Sequence, residues 1–168
     1  MTDNHFQDIQ VFYGKLDRFP PPREAENPCA ACIECCRYFF YCSWYEFQFI
    51  EHFVRQKAIS ISLVFKPAAA ATEDTRLKGP SWLCPLHSGL GGCLTYPARP
   101  HACRVLGHYV PHTTRMPENC SFRNPLFYRV HKELPLWEDY VRLLLAHPPP
   151  DEFRKGGYFV GASADPLI

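Results

Sequence analysis

The stretch Cys29-Ala30-Ala31-Cys32-Ile33-Glu34-Cys35-Cys36 places four thiols within eight residues. A lone cysteine usually packs as a small buried hydrophobe, but packing alone does not require thiols at this density. The first three have the spacing C-x2-C-x2-C, in which a short loop lets successive thiolates converge on one centre. Side chains of Cys35 and Cys36 point to opposite sides of an extended backbone, so they serve different centres, or one ligates while the other packs. The stretch predicts a metal-binding nucleus around which the fold is organised.

A second group of cysteines lies further along the chain, and these residues occur singly. Glycines precede Cys93 and would let the backbone approach a cluster, while the proline after Cys84 ends a turn as it does in ferredoxin runs. Cys42 lies beside aromatic residues, and we predict that it belongs to the core. The candidate ligands of the metal or cofactor are therefore Cys29, Cys32, Cys35, Cys36, Cys84, Cys93, Cys103 and Cys120.

Basic residues accompany the second group. Arg99 and Arg104 bracket Cys103. They form either surface salt bridges or an outer layer of donors that offsets the negative charge of a thiolate cluster. Histidine is a further zinc ligand, although an isolated histidine is more often solvated or hydrogen-bonded. The histidines near this block are His87, His101, His108 and His112.

The spacing of the cysteines also bears on the cofactor. Two tetrahedral zinc sites would use eight thiolates, usually as paired C-x2-C knuckles. This chain has one C-x2-C-x2-C block and otherwise scattered cysteines, which suits a cluster held by three local ligands and one remote ligand. The pattern favours a [4Fe-4S] iron-sulfur cluster, with zinc as the alternative. Cys29, Cys32 and one or both of Cys35 and Cys36 are the firmest ligands.

Length and charge limit the classes of function. A chain of 168 residues forms one domain that buries about two thirds of its unfolded surface. The net charge of +1 supplies no field that would draw the protein to nucleic acid. The sequence contains no run of 18 apolar residues and no signal-peptide pattern, so we expect a cytoplasmic protein without a transmembrane segment. In that reducing compartment, nine cysteines are thiols or metal ligands rather than disulfides.

Apolar periodicity predicts regular structure before the second cysteine block. Residues 3–18 form a short amphipathic helix, with Asp3 or Asn4 as N-cap. A second helix covers 44–57 and begins with a capping box, and alternation over 59–65 predicts a strand before a loop at 68–78. The first helix has Phe6, Ile9, Phe12, Tyr13 and Leu16 on one face, and the second has Trp44, Phe47, Ile50 and Val54, widened by Phe49 and Phe53.

The C-terminal third contains helical spacing and then a tail. Asn124-Pro125 caps a helical region that runs to Ala146, and Pro135 divides or kinks it. Residues 148–168 form an extended tail with proline, glycine and aromatic residues, which drapes over the domain or docks on a protein partner. The apolar positions of the helical region are Phe127, Val130, Leu134, Trp137, Val141, Leu144 and Leu145.

Together these features predict a small, mixed domain of α-helices and irregular structure, loop-rich and metal-stabilised, with helices at both ends and little β structure. Its predicted parts are an N-terminal helix and proline linker (1–27), a cysteine-cluster domain (28–122), C-terminal helices packed on it (123–147) and the tail (148–168).

The two cysteine blocks resemble a known family. The run from Cys29 to Cys36, followed by a helix, then Cys84-Pro85-Leu86, Cys93-Leu94-Thr95-Tyr96 and Arg99-Pro100-x2-Cys103-Arg104, is similar to the YkgJ-type cysteine-cluster family, a CxxCxxCC zinc- or iron-chelating domain. The resemblance covers residues 28–122 and implies a small metal- or iron-sulfur-binding domain. A flagellin lysine methylase carries a related cluster, but this chain lacks that enzyme's length.

Two hypotheses for the function follow. In the first, the protein holds an iron-sulfur cluster for electron transfer, cluster handling or redox sensing. In the second, zinc or a cluster only stabilises an interaction subunit that joins a larger assembly through its tail. The chain contains no Walker loop, GxGxxG, HExxH or GxSxG motif, so the sequence leans away from an enzyme without deciding the question.

Overall fold

The computed structural model of the protein describes residues 3–18, 36, 41–70, 83–88, 92–105 and 136–161. Within these ranges there are four α-helices and one sheet of two antiparallel strands, joined by 3-10 turns. The predicted mixed class with little β structure is thereby confirmed for the described part of the chain. The elements are α1 (Gln7–Leu16), α2 (Trp44–Gln56), β1 (Leu63–Pro67), α3 (His101–Arg104), α4 (Trp137–Ala146) and β2 (Gly157–Gly161).

The predicted N-terminal helix is present, but it starts differently. A 3-10 turn at Asp3–Phe6 precedes α1, so Phe6 occupies the N-cap position and makes no side-chain capping bond. The expectation that Asp3 or Asn4 caps the α-helix is therefore wrong, because the tighter turn moves the start of the helix downstream. The predicted apolar face is confirmed, since all of its members are buried: Phe6, Ile9, Phe12, Tyr13 and Leu16.

Helix α2 is the central element, and its predicted capping box is confirmed. The backbone N–H of Glu46 donates to Ser43 Oγ over 3.2 Å, and the Glu46 carboxylate accepts from the Ser43 N–H over 2.8 Å. The helix ends in a Schellman motif, in which the N–H of Ile59 donates to the Val54 carbonyl over 3.0 Å. Ala58 in this motif has a positive φ of 49°.

Two apolar cores lie on different sides of α2. The first core packs α1 and α4 against Tyr45 and Phe49 of α2. The second core packs β1, Leu86 and Phe153 against Phe47, Ile50 and Val54 of α2. Because α2 contributes to both cores, displacement of this helix would disturb both.

The predicted strand over 59–65 begins later than expected. The observed β1 covers Leu63–Pro67 and pairs with β2, with Phe65 opposite Phe159. The amides of Ile59 and Ile61 are already bonded locally, to Val54 and Ile59 respectively. Since a ladder needs free amides, the alternating residues before Leu63 pack against the second core without joining the sheet.

The described part of the predicted tail belongs to the domain itself. Phe153 is buried and stacks on Trp44 with ring centroids 4.8 Å apart, and Tyr158 is also buried. Strand β2 provides the partner of β1, and the Gly157 N–H donates to the Cys42 carbonyl over 3.0 Å. Phe153 and Tyr158 therefore pack within the chain, which agrees with the alternative that the tail drapes over the domain, and the docking of the tail on a protein partner stays a prediction.

Helix α4 confirms a helix after Pro135 but changes its apolar face. Tyr140 and Leu143 are the buried residues, whereas Val141 is 36% exposed and Leu145 is 75% exposed. The consecutive leucines in the sequence did not indicate which face of the helix is buried. Tyr140 faces the interior, where its hydroxyl donates to a buried acceptor. The predicted cap at Asn124-Pro125 and the helical positions Phe127, Val130 and Leu134 lie outside the described residues. No helix in the described ranges is long and apolar enough to cross a bilayer.

Candidate metal centre

Four of the eight predicted ligands lie within the described structure: Cys36, Cys84, Cys93 and Cys103. The other four, Cys29, Cys32, Cys35 and Cys120, lie outside the described residues. The two cysteine blocks meet at a backbone contact, because the N–H of Cys84 donates to the Cys36 carbonyl over 2.8 Å. Residues 48 positions apart in sequence are therefore brought together.

An isolated β-bridge places the segments that carry Cys84 and Cys93 side by side. His87 and Cys93 form an isolated antiparallel bridge, and the N–H of Leu94 donates to the Leu86 carbonyl over 2.8 Å. Gly92 has a φ of 93°, a left-handed conformation that glycine adopts at no steric cost. The glycine beside Cys93 thus allows the turn that brings this cysteine back toward Cys84.

Helix α3 carries Cys103. Pro100 precedes the helix, and its carbonyl accepts from the N–H of Cys103 over 3.0 Å. Burial raises the pKa of the Cys103 thiol well above its ordinary value, and negative charge on Cys84 and Cys93 raises that pKa further. Cys36 adds a smaller upward effect. The mutual influence of these thiols indicates that one neighbourhood contains all four.

Cys84 responds to the same surroundings. Burial raises its pKa to about 12, the backbone hydrogen bond from Leu86 lowers it, and Cys36 and Cys93 raise it again. A thiol with such a pKa is protonated near neutral pH, and a metal that binds it must release the proton. Within the described ranges, no three Cys, His, Asp or Glu residues form a group that could hold a metal ion.

Arg99 and Arg104 differ from the expectation of surface salt bridges, since each residue is only 5% exposed. Arg99 Nη2 lies 3.5 Å from Asp17 Oδ1, and its guanidinium stacks 3.8 Å above the Tyr96 ring. The positive charge of Arg99 lowers the pKa of Cys103, although burial of the thiol outweighs it. Of Arg99 and Arg104, it is therefore Arg99 whose charge lowers the pKa of a candidate ligand, Cys103.

Arg104 has a different environment. Its Nε donates to the Arg99 carbonyl over 2.9 Å, its Nη2 donates to the Pro97 carbonyl, and its Nη1 pairs with Asp17. The guanidinium also lies 3.8 Å above the Tyr13 ring. Arg104 thus fixes the 3-10 turn at Tyr96–Ala98 against the end of α1.

Cys42 is a core residue, as predicted. It is 5% exposed and packs in the second core, and its N–H donates to the Gly157 carbonyl over 2.8 Å. Burial raises the pKa of its thiol well above the ordinary value, and Glu46, Cys103 and Cys84 raise that pKa further. Cys42 therefore lies near the candidate ligands, but it is more buried than they are and is anchored in the sheet region.

The histidines near the second block have distinct positions. His87 bridges to Cys93, whereas His101 is buried and stacks on Tyr140 with ring centroids 4.2 Å apart. His108 and His112 lie outside the described residues. Among the histidines that the structure describes, His87 is thus the one whose backbone pairs with a candidate ligand, Cys93.

Glu46 is a buried polar residue whose long-range role the sequence did not reveal. It is 1% exposed, and besides Ser43 its carboxylate accepts from Tyr13 Oη over 2.8 Å and Tyr140 Oη over 2.9 Å. The N–H of His101, the first residue of α3, donates to the same carboxylate over 2.7 Å. The only local signal was the capping box, which accounts for the bonds to Ser43 alone.

Comparisons of the chain with protein-family models, with curated proteins and with solved structures find no match. The resemblance to the YkgJ-type family therefore rests on the cysteine pattern.

Proposed function

We propose that the protein binds a metal cofactor through its cysteines, with a [4Fe-4S] cluster favoured over zinc. The observation that carries this proposal is the hydrogen bond from the Cys84 N–H to the Cys36 carbonyl over 2.8 Å, which brings two separate cysteine blocks together, and the influence of Cys36, Cys84 and Cys93 on the pKa of Cys103 agrees with it. Thiolates are soft donors that suit zinc and iron-sulfur clusters. Cys29, Cys32, Cys35 and Cys120 complete the proposed donor set, and the function would be electron transfer, cluster handling or redox sensing.

The surrounding residues suit this donor chemistry. Burial is the main cause of the raised pKa values of Cys84 and Cys103, and repulsion between neighbouring thiolates raises both values further. A bound metal would replace the thiol protons and remove this repulsion. Arg99 and Arg104 are proposed outer residues of the centre: Arg99 offsets negative charge near Cys103, and Arg104 holds the backbone of Arg99. A [4Fe-4S] cluster, when bound, supplies one-electron redox chemistry.

The test is anaerobic purification followed by metal analysis and an absorption spectrum. We expect brown protein with about four irons per chain for one [4Fe-4S] cluster. Cys32→Ser should lose iron and colour, because serine replaces a soft donor poorly, and the one of Cys84→Ser, Cys93→Ser, Cys103→Ser and Cys120→Ser that removes the remote ligand should do the same. Cys42→Ala is the matched control, since it removes a buried thiol that packs in the second core, and it should retain the metal.

A different result would favour the second candidate function. Colourless protein with about one or two zinc ions per chain would contradict the cluster and favour a zinc-stabilised interaction subunit. Loss of metal in Cys42→Ala together with retention in Cys32→Ser would contradict the proposed donor set. The observation that favours an interaction subunit is the exposed apolar surface of α4, where Leu145 is 75% exposed.

A further inference from the structure

The outer surface of α4 carries two parallel ridges of side chains. Trp137, Val141 and Leu145 follow one another at intervals of four residues, and so do Glu138 and Arg142. Exposure along the first ridge rises from Trp137, which is partly buried against the first core, to 36% at Val141 and 75% at Leu145. A groove of about 520 Å³ runs beside these residues and is lined, among the described residues, by Trp137, Glu138, Val141 and Arg142. We define these two ridges and the groove as the α4 face.

We propose that the α4 face docks on the same face of a second copy of the chain. Ridges of residues spaced by four interdigitate in the commonest class of helix packing. In a two-fold symmetric pair, residue i of one copy meets residue j of the other and the reverse. With antiparallel helices and the axis near Val141, Trp137 of each copy lies opposite Leu145 of the other.

The charges of the α4 face are also self-complementary. In the same antiparallel arrangement, Glu138 of each copy lies within side-chain reach of Arg142 of the other, because the long guanidinium side chain spans an offset of two residues, about 3 Å along the helix axis. Arg142 already donates through Nη2 to Asp139 of its own helix. A guanidinium has five N–H donors, so both carboxylates can be served together. An apolar ridge beside a charge pair that repeats by symmetry favours a second copy over an unrelated partner.

The size of the face sets the expected affinity. A helix of ten residues is about 15 Å long, so two such helices bury less area than the roughly 1,200 Å² of a standard interface. We therefore expect a weak dimer with a dissociation constant on the order of 10–100 μM. The inference does not depend on the metal.

Sedimentation equilibrium of the full chain over a range of concentrations tests the dimer. Leu145→Glu should weaken association at least about tenfold, because it places two carboxylates within the apolar contact. Val64→Glu is the control: Val64 is also an exposed apolar residue, at 44%, but it lies on β1. Unchanged association of Leu145→Glu, or equal weakening by Val64→Glu, would overturn the proposal.

Charge reversal tests the two-fold geometry. Glu138→Arg and Arg142→Glu should each weaken the dimer about threefold or more by placing like charges opposite each other, and the double variant should restore it. Melting of each variant, followed by circular dichroism, checks that the fold is kept. A double variant as weak as either single variant would overturn the arrangement. A wild-type chain that stays monomeric at millimolar concentration would overturn the dimer itself.

Discussion

The carboxylate of Glu46 accepts hydrogen bonds from side chains of α1 and α4 and from the backbone amide that begins α3. One oxygen, Oε1, accepts from Tyr13 and from the amide of His101, and Oε2 accepts from Tyr140 and twice from Ser43. Either oxygen therefore faces at least two donors. This buried residue thus adds polar bonds between α2 and each of α1, α3 and α4.

We predict that Glu46→Gln destabilises the protein by about 3 kcal/mol or more, because an amide NH2 must then face donors at a buried site. The measurement is the urea midpoint of unfolding. Glu51→Gln is the matched control on the same helix: Glu51 pairs with Arg55 over 2.8 Å at an exposed site, and its loss should cost less than about 0.5 kcal/mol. Equal midpoints for the two variants would contradict the role assigned to Glu46.

The buried tyrosines predict loss of stability in alkali. Burial raises the pKa of Tyr45 to about 12, with a further contribution from Asp8, and burial and then Glu46 raise those of Tyr13 and Tyr140. Tyrosine in the unfolded chain ionises near pH 10. The unfolded state therefore loses these protons first, so the stabilisation is complete below about pH 10 and is lost as the pH rises toward 12.

Urea midpoints measured between pH 9 and 12, together with tyrosinate absorbance, check this prediction. Cysteines also ionise in this range, so the tyrosine contribution is read from Tyr45→Phe, which leaves every cysteine in place. The variant should lose less stability over this pH interval than the wild type. Identical slopes for both proteins would contradict the assignment to Tyr45.

Local patterns predicted only part of this residue-level picture. Ser43 and Glu46 are three residues apart, so the capping box was visible in the sequence and is confirmed. Tyr13 and Tyr140 lie 33 and 94 positions from Glu46, and no periodic pattern connects residues at such separations. The burial of Arg104 escaped prediction for the same reason, because its acceptors include Asp17, 87 positions away.

At the scale of elements, the sheet depends on a close approach at Gly157. This residue pairs with Pro67 in β1 and also forms a bridge with Cys42. A Cβ atom at this position would lie 2.3 Å from the Lys66 carbonyl oxygen and 2.7 Å from the Phe65 ring. Contacts this short require the strand or the ring to move, and Phe65 is part of the second core.

We predict that Gly157→Ala destabilises the protein by about 2 kcal/mol or more through this clash. Gly14→Ala is the control with the opposite sign: Gly14 lies in α1, and a Cβ there meets nothing within 4 Å. Replacing an interior helical glycine by alanine should stabilise the protein by about 0.5–1 kcal/mol. Thermal melting of both variants checks the pair, and a stabilised Gly157→Ala would contradict the observed packing of β2.

Apolar periodicity in the sequence predicted some of the observed elements correctly and others only in part. Helix α2 was predicted to within one residue, because its cap and its apolar face agree with each other. The alternation over 59–65 leads into the strand β1. The first residue of β1 depends on its pairing with β2, which lies more than 90 positions further along the chain. In α4, three consecutive leucines left the direction of the helix undecided, and the bond from Tyr140 to Glu46 accompanies the orientation observed.

At the scale of the whole molecule, the candidate centre borders both apolar cores. Cys84 and Cys93 pack against the second core, and Ala98 and Val105, on either side of Cys103 in sequence, belong to the first core. The cysteines of the candidate centre could be picked out from the sequence, because cysteine density needs no knowledge of the fold, and their role as metal ligands stays a prediction. The sequence did not predict the cores beside the centre, which depend on contacts between α2 and distant elements.

If the proposed metal holds these cysteines together, its removal should lower the melting temperature by about 10 °C or more, because metal affinity in the folded state adds to stability. Circular dichroism and tryptophan fluorescence should report the shift together, since the centre borders both cores. The measurement compares metal-loaded protein with anaerobically prepared apo protein whose metal content has been determined.

Cys42→Ala should retain the metal and show the same shift on its removal, which separates the effect of the ligands from that of a core thiol. Melting of verified apo protein at the temperature of the loaded protein would contradict a stabilising metal, and a shift in circular dichroism alone would show that the cores do not depend on it.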